Sequence, residues 1–164
     1  INVILKNVKH VPKCGHPGTF VVFDDLNAFP ILTGFDPCDV LFAAAEYGKG
    51  RIFAVSHEAY IEKFLKNPLK FDPLWPNIKN WLAHGEEICD DNIKSIENFE
   101  SVSDITSSVK IIVWNGTFNK SELFINHLLK KYVSNGGSVL CGVCPWGWLS
   151  LSRRTLEDMS MNIF

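Results

Sequence analysis

Two short apolar runs on either side of an amphipathic stretch constrain this chain more than anything else in it. Lys110-Ile111-Ile112-Val113-Trp114 shows no alternation of apolar and polar residues. That is the pattern of a strand covered on both faces, the kind found in parallel sheets. Ser138 to Val143 reads as a second strand. Between them Leu123, Phe124, Leu128, Leu129 and Tyr132 form an apolar stripe at helical spacing, with Ser121 as a good N-cap and Asn135-Gly136-Gly137 as the stop. Strand, helix, strand in that order is a βαβ unit, with parallel strands and a right-handed crossover. Such a sheet needs helices on its faces, so the predicted class is α/β.

The remaining elements fit that class. Val40 to Ala45 and Arg51 to Ser56 flank Glu46-Tyr47-Gly48-Lys49-Gly50, a hairpin signature. Glu58 to Leu65 is a short helix ended by Asn67-Pro68, and Pro73 to Ala83 carries Leu74, Ile78, Trp81 and Leu82 at helical spacing before Gly85. Thr19 to Phe23 has strand composition. Phe29 to Leu32 is at best a short edge strand because Pro30 interrupts it, and Asn92 to Ile96 is a weak strand candidate. The expected architecture is a flavodoxin-like parallel sheet with a β-hairpin extension near residues 40–56. Residues 1–164 read as one α/β domain: 1–60 mainly β, 61–150 β-α-β, and 151–164 the start of a following segment.

Bulk properties narrow the function classes. Sixteen basic and eighteen acidic residues give a net charge of −2, with Lys130-Lys131 and Arg153-Arg154 the only adjacent basic pairs. The many Lys/Arg–phosphate contacts of nucleic-acid binding are not supplied. No apolar run reaches the ~20 residues of a membrane span, so no membrane insertion is expected, and no signal peptide is visible. An odd, irregularly spaced set of five cysteines argues for a reducing compartment rather than a disulfide framework. The sequons at Asn115 and Asn119 are read as chance matches. The chain opens on Ile1 rather than Met and stops after Phe164, and it is read as a fragment of a larger protein.

Several motifs touch on chemistry. His57-Glu58-Ala59-Tyr60-Ile61 begins like a zinc-protease helix, but Ile61 stands where the second His ligand is needed. The plainer reading is a turn in which Ser56 or His57 caps the helix and Glu58 sits in its first turn. No metal or other cofactor is expected. Cys141-Gly142-Val143-Cys144 supplies half of a zinc site at most, and Cys141 falls inside the apolar strand, where Cys acts as a small hydrophobe. Cys144, just past a strand, stands where an α/β hydrolase keeps its nucleophile, with His57 or His127 as base. However, Pro145 removes a backbone N–H of the kind that serves an oxyanion hole. Gly48-Lys49-Gly50-Arg51 lacks phosphate-loop spacing and reads as a tight turn. Asp24, Asp25, Asp36 and Asp39 match no calcium loop and read as turn residues. Trp146-Gly147-Trp148 forms either an aromatic ledge suited to a binding hot spot or a plug over the strand ends.

From Val40 to Tyr60 the run VLFAAAEYGKGRIFAVSHEAY resembles the "AASxYGxGRxxVxSHExY" stretch of the TRP channel-associated factor family. Ile78 to Leu82 is similar to that family's "NAVxWL" helix, and Tyr132 to Trp148 to its "GGGLLxGGxxWxW" segment. Cys144-Pro145 departs from the pattern, and residues 1–30 and 151–164 match poorly. The resemblance implies a cytoplasmic protein working at the inner face of the plasma membrane. It implies an N-terminal fold similar to class I glutamine amidotransferases and an enhancin-like metallopeptidase-type domain further along the chain. It further implies no catalytic residue in this region, and a melastatin-type TRP channel as partner, regulated in gating and surface delivery. The leading expectation is a non-catalytic interaction domain using Trp146, Trp148 and the hairpin tip with Tyr47, Lys49 and Arg51. The alternatives are an amidotransferase-like hydrolase with Cys144 as nucleophile and His57 as base, and a structural domain that positions its own downstream domains.

Overall fold

The computed structural model describes residues 2–22, 26–115 and 122–152, apart from the side chains at 122–126, 128 and 152. The expected cap Ser121, the stripe members Leu123, Phe124 and Leu128, the turn pair Asp24-Asp25, the second sequon and the segment from Arg153 onward lie outside the described residues.

Among the described residues six strands form one sheet: β1 (Ala28–Thr33), β2 (Val40–Tyr47), β3 (Gly50–Val55), β4 (Ile93–Ser95), β5 (Ile111–Trp114) and β6 (Ser138–Gly142), in the order β1-β2-β3-β6-β5-β4. The β1-β2 and β2-β3 pairs are antiparallel; β3-β6, β6-β5 and β5-β4 are parallel. The class is therefore α/β with an antiparallel extension, as expected. The flavodoxin strand order is not found: a flavodoxin sheet runs 2-1-3-4-5, whereas here the first parallel strand in sequence, β3, lies beside the last, β6.

The helices are α1 (Glu58–Lys66), α2 (Leu74–Leu82), α3 (Glu122–Ser134) and α4 (Pro145–Ser152). Strand alternation divides the core between the two faces. Ile111, Val113, Leu140, Phe53 and Val55 pack with Phe64, Trp75, Ile78 and Leu82 of α1 and α2. Ile112, Trp114, Val139 and Cys141 pack with Leu129 and Val133 of α3. All four residues of β5 and all five of β6 are buried, as a strand between two helical layers must be. The aromatic rings of Phe64 and Trp75 stack at 5.2 Å and tie α1 to α2.

Pro30 is tolerated because β1 is an edge strand with an irregular register between Pro30 and Leu32. Of the strand expected at Thr19 to Phe23, the described residues 19–22 form a single bridge, Phe20 to Val40, and Phe23 lies outside the described residues. The physical reason is occupancy: β1 pairs along one edge of β2 as far as Val40, and β3 takes the other edge from Phe42 onward, which leaves Val40 open to Phe20 on the β3 side alone.

The hairpin turns at Gly48-Lys49, with Tyr47 paired to Gly50. Gly48 has φ of +61°, and a Cβ there would stand 2.7 Å from Ser134 Cα. Glycine at the first turn position is what a type II′ hairpin requires. The tip therefore packs on the end of α3, where Lys49 N–H donates to the Ser134 carbonyl at 3.2 Å.

Candidate functional site

The chain leaves β3 over one face toward β4 and arrives at β6 from α3 on the other face. The carboxyl ends of the neighbouring strands β3 and β6 therefore mark the place where connections diverge, where open α/β sheets bind ligands. Ser56, His57 and Glu58 follow β3; Val143 and Cys144 follow β6.

His57 caps α1: its Nδ1 accepts the Ala59 N–H at 3.1 Å, with Glu58 in the first turn. This agrees with the capping reading, and Ile61 is buried in the core rather than turned to a ligand. Cys144 precedes α4, and its Sγ accepts the Gly147 N–H at 3.4 Å. One donor atom each from His57, Glu58 and Cys144 lies within 4.8 Å of the others. Glu58 Oε2 stands 3.5 Å from His57 Nδ1. It is shielded from solvent and has no hydrogen-bond partner, as is Ser56 Oγ. Residues 14–18 strap across this cluster. Gly18 N–H donates to Ser56 O at 3.2 Å. Gly15, at φ +63°, presses so close that an added Cβ would fall 2.4 Å from His57 Nε2. Sequence reasoning brought His57 and Cys144 together but missed Glu58 as a third member and missed the strap. The turn-rich run Cys14-Gly15-His16-Pro17-Gly18 was the available signal.

The electrostatics do not favour a nucleophile. Burial raises the Cys144 thiol above its ordinary pKa and the Glu58 carboxylate pushes the same way, against the Gly147 N–H. Cys141 lies inside β6, and burial pushes its thiol up to about 12. His127 is exposed on α3. Beside the cluster, and sharing Glu58 with it, a cleft of about 790 Å³ runs between α1, α2 and the carboxyl ends of β4 and β5, lined by Phe64, Lys66, Trp75, Lys94 and Asn115 among others.

The expected binding surface divides. Trp146 is 56% exposed, edge-on to His16 at 6.4 Å. Trp148 is 2% exposed and packs against Val143, so it plugs the strand ends and is no ledge. Tyr47 and Lys49 are exposed at the hairpin tip. Arg51 is turned inward: its Nη1 donates to the Trp81 carbonyl at 2.7 Å, its Nε meets Glu46 at 3.1 Å, and its Cζ lies 5.0 Å over the Trp81 ring. It thereby caps the carboxyl end of α2. No helix among the described residues is long and apolar enough to cross a membrane.

A family described as TRPM8, N-terminal domain (TCAF_N) matches residues 1–163. A TRPM8 channel-associated factor homolog of Xenopus laevis is 30% identical over 128 residues, covering 74% of this chain and 14% of that protein. TRPM8 channel-associated factor 2 of Mus musculus is 29% identical over 137 residues, covering 75% and 14%. This chain thus spans about a seventh of those curated relatives. Among solved structures, IMPa metallopeptidase from Pseudomonas aeruginosa superposes with a TM-score of 0.55 at 16% identity, over 72% of this chain and 16% of that one. IMPa in complex with an O-glycopeptide reaches 0.63 at 15% identity, over 87% and 19%. At these identities the likeness is one of fold.

Proposed function

The chain belongs to the TRPM8 N-terminal domain family (TCAF_N), and we propose on that premise that it is a non-catalytic interaction domain through which a channel-associated factor engages a melastatin-type TRP channel. On this reading it acts on the cytoplasmic side, at the inner face of the plasma membrane, and modulates gating or surface delivery of the channel. The observation that carries it is the surface of α4. Trp146 and Leu149 share one helix face and are 56% and 38% exposed, and Leu151 is 82% exposed further round. A helix apolar on several sides, with only Trp148 firmly buried among its described side chains, has area left for a partner. Tyr47 and Lys49 offer a second contact at the hairpin tip.

The experiment is co-precipitation of a co-expressed melastatin-type channel with the full-length protein, comparing Trp146→Asp with the unaltered chain. Loss of the channel with retained folding supports the reading. Retained channel refutes α4 as the contact. A full-length protein made unstable by Trp146→Asp points instead to the structural reading, in which α4 docks the downstream domains. The hydrolase reading has one observation in its favour, the approach of Cys144 to His57. The raised thiol pKa and the missing Pro145 N–H both oppose it.

A further inference from the structure

We propose that His57, Glu58 and Cys144 form a binding site for a divalent transition cation of the zinc type. The three donors come from two separate turns, after β3 and after β6, and converge within 4.8 Å. Imidazole, carboxylate and thiolate together suit zinc, and the sulfur disfavours magnesium and calcium. The charges also match: one carboxylate and one thiolate neutralise a divalent ion, with a neutral imidazole completing the set.

The arrangement is unfavourable without a cation. His57 Nδ1 accepts the Ala59 N–H, so it carries a lone pair rather than a proton on that side. A shielded carboxylate oxygen with no hydrogen-bond partner faces it at 3.5 Å. A buried polar atom without a partner is destabilising. A proton would relieve the pair alone; a metal ion would also engage the neighbouring sulfur. In binding, the Cys144 S–H bond breaks, the sulfur electron pair forms the metal–sulfur bond, and the proton leaves to solvent. Cation and cap compete for Nδ1 as the ring stands, with Nε2, beneath Gly15, as the other possible donor. Three protein donors leave a tetrahedral ion one position for water. The site is distinct from the α4 surface proposed to meet the channel, since Trp146 contributes no donor.

The test is titration of the reduced chain with Co²⁺, followed by absorption. The expected result is one equivalent bound, with a thiolate-to-cobalt charge-transfer band that Zn²⁺ displaces. The band disappears in Cys144→Ser and persists in Cys38→Ser and Cys89→Ser, which remove the exposed thiols. Glu58→Gln leaves the His57 cap and the volume unchanged. It should keep the band yet bind at least about tenfold more weakly, since even residues behind the ligands are worth about 10–100-fold in affinity. No charge-transfer band in the unaltered chain overturns the proposal. A band that survives Cys144→Ser, or unchanged affinity in Glu58→Gln, overturns it equally.

Discussion

Replacing Arg51 by alanine separates a strut from a binding residue. The Nη1 bond to the half-buried Trp81 carbonyl is charge-assisted, at 2.7 Å. Bonds of that kind are worth about 1.5–3 kcal/mol. Stacking over Trp81 at 5.0 Å adds about 0.5–1 kcal/mol. The pair with Glu46 adds little: Glu46 is 54% exposed, and exposed ion pairs are worth about 0–1 kcal/mol. One side chain makes all these contacts, so they do not simply add. The expected loss is about 2–3 kcal/mol. With an m-value of about 2 kcal/mol/M, the urea midpoint should fall by roughly 1–1.5 M at unchanged m. Arg51→Lys should recover less than half of this, because the planar fork is lost. Glu46→Ala should cost under about 0.5 kcal/mol. A midpoint for Arg51→Ala within about 0.25 M of the unaltered protein would fall in the range of ordinary surface substitutions. That result would refute the strut and return Arg51 to the set of residues free to meet a partner.

Gly15→Ala should destabilise more than Gly85→Ala. Both positions have positive φ, but a Cβ on Gly15 meets the His57 ring while Gly85 has nothing within 4 Å. The φ strain costs about 1–2 kcal/mol at either, so equal shifts in melting temperature would show that the strap does not press on His57. Trp148→Ala should cost about 3–5 kcal/mol and Trp146→Ala about 0.5 kcal/mol or less, measured by urea unfolding; similar losses would contradict the plug. Burial pushes the folded Cys141 thiol up to about 12, well above its ordinary value. The raised value gives a contribution present below pH 9 and lost as pH rises toward 12, because the unfolded thiol releases its proton first. Urea midpoints at intervals from pH 9 to 11 should therefore fall less steeply in Cys141→Ala, and parallel slopes would count against the burial of Cys141.

The elements legible in the sequence were those whose pattern is local. The run at Ile111 to Trp114 could only be a doubly covered strand, and Glu58 to Leu65 and Leu74 to Leu82 carried helical spacing that the structure reproduces. Strand order was not legible, because nothing local says that β3 pairs with β6 rather than β4. The segment at Thr19 to Phe23 shows the same limit: its composition suits a strand, but the edges of β2 are held by β1 and β3. At the site, His57 and Cys144 were visible as residue types just past strands. Glu58 was read as a first-turn acid or as the water-activating acid of an incomplete zinc-protease motif, but its nearness to Cys144 depends on β3 and β6 being neighbours. Trp146 and Trp148 carry the same side chain two residues apart, and only the direction of α4 exposes one and buries the other.

The pairing of β3 with β6 also sets a timetable for synthesis. Once Val55 has emerged, the β1-β2-β3 meander can form, but the free edge of β3 finds its partner only after Ser138 to Gly142 have followed. That is nearly 90 residues, or about 4–17 s at 5–20 residues per second. Throughout that interval a nascent strand carrying Ile52, Phe53 and Val55 exposes unpaired N–H and C=O groups, the condition under which chains pair with one another. That edge is open to pairing between neighbouring chains on a polysome, and slowing elongation between α1 and β6 would lengthen the hazard rather than relieve it.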